Sequence, residues 1–188
     1  MSRIGNKTIT IPTGIEVTVS DGNEVTVKGP KGTLTRQFSP LITIKVEGSE
    51  VKCTRANEEK HTKQLHGTTR ALINNAIIGC HEGFKKTLDI IGIGYRAEMR
   101  GKDVVLYVGH VEPTVVSPLP GVTITVVDSK NKDVTSTVEV SGSDKFKVGQ
   151  TAALIHDAKR PEPYLGKGIR YRGEYILRKE GKRAGAGK

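Results

Sequence analysis

Gly22-Asn23-Glu24-Val25-Thr26-Val27 returns 79 residues later as Gly101-Lys102-Asp103-Val104-Val105-Leu106. Each stretch passes from turn residues into β-branched and apolar ones, the pattern of a hairpin's returning strand. Two further blocks follow in the same order. Ile42-Thr43-Ile44-Lys45-Val46 returns at an offset of 80 as Val122-Thr123-Ile124-Thr125-Val126. Gly67, Thr69, Ala71, Leu72 and Ile73 return at an offset of 82 as Gly149, Thr151, Ala153, Leu154 and Ile155. An offset that grows slowly along the chain is what duplication with small loop insertions leaves behind. The reading is an α+β protein of two similar tandem domains, 1–82 and 83–158, divided near Glu82-Gly83. Each is an antiparallel or mixed sheet covered by one helix, and a basic extension, 159–188, follows.

Working outward from the first block, Ile15, Val17 and Val19 alternate with polar residues and form a hairpin with Val25 and Val27 across Asp21-Gly22-Asn23. Gly29-Pro30-Lys31-Gly32 is a second turn, before a strand over Leu34 to Phe38. Ile42, Ile44 and Val46 alternate again, and Gly48-Ser49 turns into a strand at Glu50 to Thr54. Asn57-Glu58-Glu59 then reads as a helix start, an N-cap followed by two acids at the positive end of the dipole. Leu65, Thr69, Leu72, Ile73, Ala76 and Ile77 make the apolar stripe, and Gly79 suits the C-terminal cap. In the second half, strands are expected over Leu88 to Ile93, Tyr95 to Arg100, Val104 to Val108, Val122 to Val127 and Thr135 to Ser141. Ser143-Asp144 caps a second helix, with Val148, Ala152 and Ile155 on its inner face.

The 188 residues have room for one or two small domains. The net charge of +10 points to nucleic acid, an anionic membrane or an acidic protein as partner. With no Trp and 4% aromatics, a base-stacking platform of the single-strand-binding kind is poorly supplied. The longest apolar run, Val104 to Val108, is far short of a membrane span, and no signal-peptide core follows the N-terminus. A cytoplasmic protein with no membrane partner is the expectation. Cys53 and Cys80 read as ordinary buried thiols; with Cys80-His81 and His66 they lack the paired C-x-x-C spacing of a zinc site. No metal or cofactor is expected.

Gly92-Ile93-Gly94-Tyr95-Arg96-Ala97 fits G-x-G-x-x-A, but the dinucleotide fold needs a helix next, and here a Gly101 hairpin follows. His61 and His66 are five apart, not the i, i+4 pair of a helical zinc site, and the five histidines read as surface residues. Asp144 reads as a cap or first-turn acid. An enzyme acting on RNA would need a converging acid/base or metal set, which is not visible.

The extension departs most from the rest. Residues 159–188 hold ten Lys or Arg and three Glu, a net +7, against +3 for the preceding 158 residues. Pro161, Pro163, Gly166, Gly168 and Gly173 forbid a long helix. The segment has no apolar periodicity to fold it, so an anionic surface would order it. Tyr164, Ile169, Tyr171, Tyr175, Ile176 and Leu177 exceed what a merely solvated end needs. Arg supplies forked donors for phosphate and Lys a point charge. The candidate RNA-binding cations are Lys159, Arg160, Lys167, Arg170, Arg172, Arg178, Lys179, Lys182 and Arg183. Lys85 and Lys86 are auxiliary candidates, with a charge-blunted strand edge as the alternative.

Met1-Ser2-Arg3-Ile4-Gly5, the Gly92 to Ala97 segment, Asp144-Lys145 with Val148-Gly149-Gln150 and Ala152-Ala153, and above all Pro161-Glu162-Pro163-Tyr164 with Gly166-Lys167-Gly168-Ile169-Arg170-Tyr171 resemble the bacterial large-subunit ribosomal protein six family. The likeness spans essentially the whole chain. It implies two α+β domains from duplication and a structural, non-enzymatic role on large-subunit (23S) rRNA. It also implies a place near the lateral stalk base and the sarcin–ricin loop, beside neighbouring large-subunit proteins, where translational GTPases dock transiently. By position, Tyr164, Lys167, Gly168, Arg170 and Tyr171 would lie against rRNA. Leu165 stands where the family motif usually has Lys, and His156 where Arg is common. The competing reading is a non-ribosomal module binding RNA or an acidic partner.

Overall fold

Short β-branched runs cut by turn residues give each half six strands ahead of one helix. The computed structural model describes residues 3–128 and 134–181. The first half contains β1 (Ile9–Thr10), β2 (Glu16–Val19), β3 (Glu24–Gly29), β4 (Gly32–Gln37), β5 (Ile42–Glu47), β6 (Glu50–Arg55) and α1 (Lys60–His81). The second contains β7 (Phe84–Ile91), β8 (Arg96–Arg100), β9 (Asp103–Tyr107), β10 (Thr114–Val116), β11 (Val122–Asp128), β12 (Ser136–Gly142) and α2 (Lys145–Ala158), then β13 (Gly168–Tyr171). The chain divides into two compact units, Met1–Phe84 with Gly142–Lys145, and Lys85–Ser141 with Phe146–Lys188.

The duplication reaches down to strand order. The first half has sheets β2-β3-β4 and β1-β6-β5; the second has β8-β9-β10 and β7-β12-β11. Each unit is therefore α+β, though its strands form two small sheets rather than one. β13 extends the second unit's larger sheet at the edge of β7 and has no counterpart in the first. β1, β10 and β13 were not anticipated. Two or three residues are too few for an alternation to show, and β13 lies among glycines and prolines.

In the first unit, period-two alternation sends one face of each strand inward. Val17 lies opposite Val27, Val19 opposite Val25, and Ile44 opposite Cys53. Val25, Val27, Ile42, Ile44 and Val51 are buried with Ile73 and Ile77 of α1, each such side chain contributing roughly 1.5–3 kcal/mol. Cys53 and Cys80 are free and buried, and burial pushes both thiols up.

Helix α1 differs from expectation at both ends and in its face. It begins at Lys60, and Glu59 stands at the N-cap without a side-chain cap bond. Asn57 instead accepts from the Glu59 amide, and Glu58 is drawn to Arg55 and Lys63. At the other end Gly79 lies inside the helix, where a Cβ would meet the Phe84 ring. The capping conformation falls to Gly83 at φ +82°, whose amide, like that of Glu82, donates to the Ile78 carbonyl. The buried stripe runs through Thr62, His66, Thr69, Ile73, Ile77 and Cys80. His66, expected at the surface, is thus a core residue. A ring nitrogen, Nε2, lies 2.9 Å from the Cys53 carbonyl, which meets part of the cost of burying the imidazole.

α2 buries Val148, Ala152 and Ile155, as its spacing indicated, and Thr151 as well. Gly92-Ile93-Gly94-Tyr95 is a turn closed by the Tyr95 amide on the Gly92 carbonyl at 3.2 Å, and it leads into strand β8, not a helix. That topology removes the dinucleotide reading.

Asn23 joins the first unit's two sheets. It sits at φ +61° between β2 and β3, and its Nδ2 donates to the carbonyls of Ser39 (2.7 Å) and Ile42 (2.6 Å). Asn23→Gly keeps the backbone freedom and loses both bonds. Asn23→Ala loses the bonds and adds the left-handed penalty. The expected losses are about 1–3 kcal/mol for Gly and about 1–2 kcal/mol more for Ala, checked by urea denaturation of the full chain.

Candidate nucleic-acid interface

The second unit's added strand decides what the C-terminal segment is. Gly168-Ile169-Arg170-Tyr171 pairs antiparallel with Ile91-Ile90-Asp89-Leu88. Ile169 is fully buried, and its amide donates to the Lys159 carbonyl at 2.8 Å. The expectation that nothing in 159–188 could fold therefore fails for its first part. One buried isoleucine and a free edge on β7 supply what an amphipathic stripe would have.

The strand is fastened by a polar clamp. Asp89, almost wholly buried in β7, accepts from Arg172 at 2.9 Å and from Thr137 Oγ1 at 3.0 Å. Arg172 also donates to Thr137 Oγ1 at 3.2 Å, and its amide donates to the Thr87 carbonyl. The neighbouring Asp89 carboxylate raises the Arg172 pKa, through hydrogen bonding first and charge second. The paired carboxylate thus has two oriented donors in a site little reached by water.

Ahead of the strand, residues 161–167 close on themselves. The Glu162 amide donates to the Lys167 carbonyl at 2.8 Å, and the Gly166 amide to the Glu162 carbonyl at 3.0 Å. Gly168, at φ +139°, lies so close to Arg160 and Pro161 that a Cβ would sit 2.8 Å from the backbone of both. Its role is thus local packing, whatever it meets outside. Tyr164 and Leu165 are exposed on this loop. Beyond the strand, residues 174–181 return to the 161–167 loop. The Lys179 amide donates to the Pro163 carbonyl at 2.8 Å, and the Arg178 guanidinium lies beside Gly166.

The candidate cations separate into two groups. Lys85 pairs with Glu139 at 2.7 Å, Arg160 with Asp157 at 2.9 Å, and Arg172 with Asp89. Lys86, Lys159, Lys167, Arg170, Arg178 and Lys179 have no carboxylate partner among the described residues. Lys182 and Arg183 lie outside the described residues. Tyr171 is not a free face for a ligand: its ring stacks on His156 at 5.2 Å, and Lys86 Nζ lies 5.7 Å from its centroid. Burial first, then Asp157 and Glu174, push its phenol up. His156 is largely enclosed rather than on the surface, with Nε2 4.0 Å from Glu174. The clamp residues Asp89 and Thr137 were missed by sequence reasoning. An acid inside an otherwise apolar strand, Leu88-Asp89-Ile90-Ile91, was the available signal.

The second of two duplicated α+β units thus carries cations that lack carboxylate partners among the described residues, and no catalytic group set accompanies them there. Among the described residues no group of three His, Cys, Asp or Glu could hold a metal. Residues 11–83 and 91–172 match the family described as Ribosomal protein L6. The chain is 54% identical over 185 residues to the large ribosomal subunit protein uL6 of Mesoplasma florum, covering 98% of this chain and 99% of that protein. It is 53% identical over 182 residues to that of Streptococcus gordonii, covering 97% and 98%. The chain belongs to the ribosomal protein L6 family and is a structural, non-enzymatic protein of the large ribosomal subunit. As a ribosomal protein its place is the cytoplasm. Among the described residues no helix is long and apolar enough to cross a membrane.

Arg172→Ala leaves Asp89 with Thr137 alone, and Arg172→Lys restores charge without the fork. The Ala variant should expose the amides of residues 168–171 to exchange roughly tenfold faster, since Asp89 then keeps a single donor. The Lys variant should fall between. Amide hydrogen exchange of the full chain measures both.

Proposed function

We propose that the chain binds large-subunit rRNA through the cations that the 161–167 loop, β13 and the folded-back 174–181 segment collect at one end of the second unit. The observation that carries this is the Lys179 amide bond to the Pro163 carbonyl, which holds Arg178 and Lys179 against the loop that bears Lys167. Three unpaired cations thereby share a small surface around Tyr164 and Leu165. Such a cluster is costly in isolation and is relieved by closely spaced phosphates.

In this reading Lys159, Lys167, Arg170, Arg178 and Lys179 neutralise phosphates, and Lys182 and Arg183 continue the charge along the sequence. Arg160 and Arg172 act with the guanidinium donors their carboxylates leave free. Gly168 and Tyr171 hold the surface in shape from beneath, Tyr164 meets the RNA directly, and Lys85 and Lys86 are auxiliary contacts. Folded RNA is read by shape and by phosphate and 2′-hydroxyl contacts, which suits a preformed cationic surface. The family resemblance supports a site near the lateral stalk base and the sarcin–ricin region, with neighbouring large-subunit proteins alongside and translational GTPases docking transiently.

The test is affinity for a folded large-subunit rRNA fragment containing the sarcin–ricin region, across a salt series, with an unrelated structured RNA as control. Replacing Lys167, Arg178 and Lys179 together by Ala should weaken binding and flatten the log K against log salt slope by about 2–3, close to one unit per phosphate contact. An unchanged slope would place recognition elsewhere on the molecule.

A further inference from the structure

Two loops beside the basic surface have an unusual composition for an RNA-facing protein. The register that sets Gly168 opposite Ile91 makes the Gly92-Ile93-Gly94-Tyr95 turn leave the sheet at the same end as the 161–167 loop. A third loop joins them. A Cβ on Gly109 would lie 3.2 Å from the Tyr95 ring, and His110 Nε2 is 3.3 Å from the Ala158 carbonyl at the end of α2. Lys159, the next residue, is bonded to Ile169 of β13. Loops 92–95, 109–113 and 161–167 therefore gather at one end of the second unit.

At their tips Ile93 is 94% exposed and Val111 104% exposed. Neither side chain packs on the protein, although each sits on a turn with defined hydrogen bonds or ring contacts. Loops 92–95 and 109–113 contain no Lys or Arg; Gly109-His110-Val111-Glu112-Pro113 holds a Glu instead. The adjacent Arg96 is committed to Glu98 at 2.8 Å and to the Tyr107 ring at 4.0 Å. The tips themselves carry no cation to meet a phosphate, and Glu112 places a carboxylate beside one of them, whereas the neighbouring 159–181 segment is dense in cations. An apolar, uncharged face of nucleic acid fits the loops, and that face is a base.

From this juxtaposition we infer that Ile93 and Val111 pack against an unpaired, unstacked nucleotide base of the RNA whose phosphates the basic segment holds. The inference rests on the rRNA-binding reading above and deepens it. The basic segment supplies sequence-independent affinity, and the two apolar tips select RNA with a base turned out of its helix. Single-stranded bulges and loops are where RNA offers such faces, and aliphatic side chains are known to wedge against unstacked bases.

The test compares the full chain with an Ile93→Ser, Val111→Ser double variant on the same rRNA fragment across the salt series. Chemical probing of base accessibility is run on each complex. Both side chains are exposed, so the fold should be unaffected. The expected result is roughly tenfold weaker binding, the loss of two modest apolar burials, with an unchanged salt slope. At least one unpaired base protected by the parent chain should become reactive with the variant. Equal affinity and equal protection overturn the inference. A flattened slope also overturns it, because the loops would then touch phosphate. Unchanged RNA binding, with loss of another large-subunit protein from a reconstituted particle, assigns the tips to a protein neighbour and overturns it as well. The Lys167, Arg178 and Lys179 variant is run in parallel. If that variant alone keeps its slope, the rRNA surface is wrong while the effect of the loops is still read directly.

Discussion

The pairing of Arg172 with Asp89 is the constraint on which the shape of the basic C-terminal surface depends. A carboxylate in the middle of an apolar strand costs several kcal/mol unless donors meet it. Here one donor comes from the neighbouring β12 and the other from the far end of the chain. The arrangement converts a polar burial problem into a positional one. Wherever Asp89 is satisfied, β13 is in register, Gly168 is against Arg160, and the loop before it is closed. The cations that follow are thus held by a contact whose carboxylate side is buried.

This division of labour sorts residues that composition alone treats as equal. Lys167, Arg178 and Lys179 hold unpaired charge on a shaped surface, whereas Arg160 and Arg172 have carboxylates close by. Tyr171, which the motif singles out, stacks on His156 and has Lys86 beside its ring. Gly168 serves close packing. A motif conspicuous in sequence can therefore be conspicuous because its backbone must be placed, with only some of its members touching anything outside.

The duplication was legible because hairpins and amphipathic helices leave periodic marks that survive in both copies: the Asn23 turn, the Val25 and Val104 strands, and the α2 face at Val148, Ala152 and Ile155. The face of α1 was drawn slightly rotated because His66 looks polar in sequence, and only the Cys53 carbonyl makes it a core residue. Gly79 reads as a cap in the sequence because a buried glycine and a terminal glycine look alike until the Ser143 carbonyl and the Phe84 ring are seen beside it. The fold of the C-terminal segment was hidden for a related reason. Ile169 and Tyr171 alternate as a strand should, but four residues between glycines carry little signal until a partner edge is known. The charge excess of that segment was plain from the sequence. Which charges are already paired was not, since Asp89 and Arg172 lie 83 residues apart.

That separation has a consequence for how the protein is made. β7 emerges during synthesis long before its last neighbour exists. Until residue 172 has been added, Asp89 lacks its cation and β7 keeps an open edge, so the second unit cannot reach its final stability before that point. A product interrupted before that point would retain an uncompensated carboxylate in its core and an unfinished sheet, both of which favour opening and proteolysis. The sheet thus distinguishes chains that reach Arg172 from chains that stop before it.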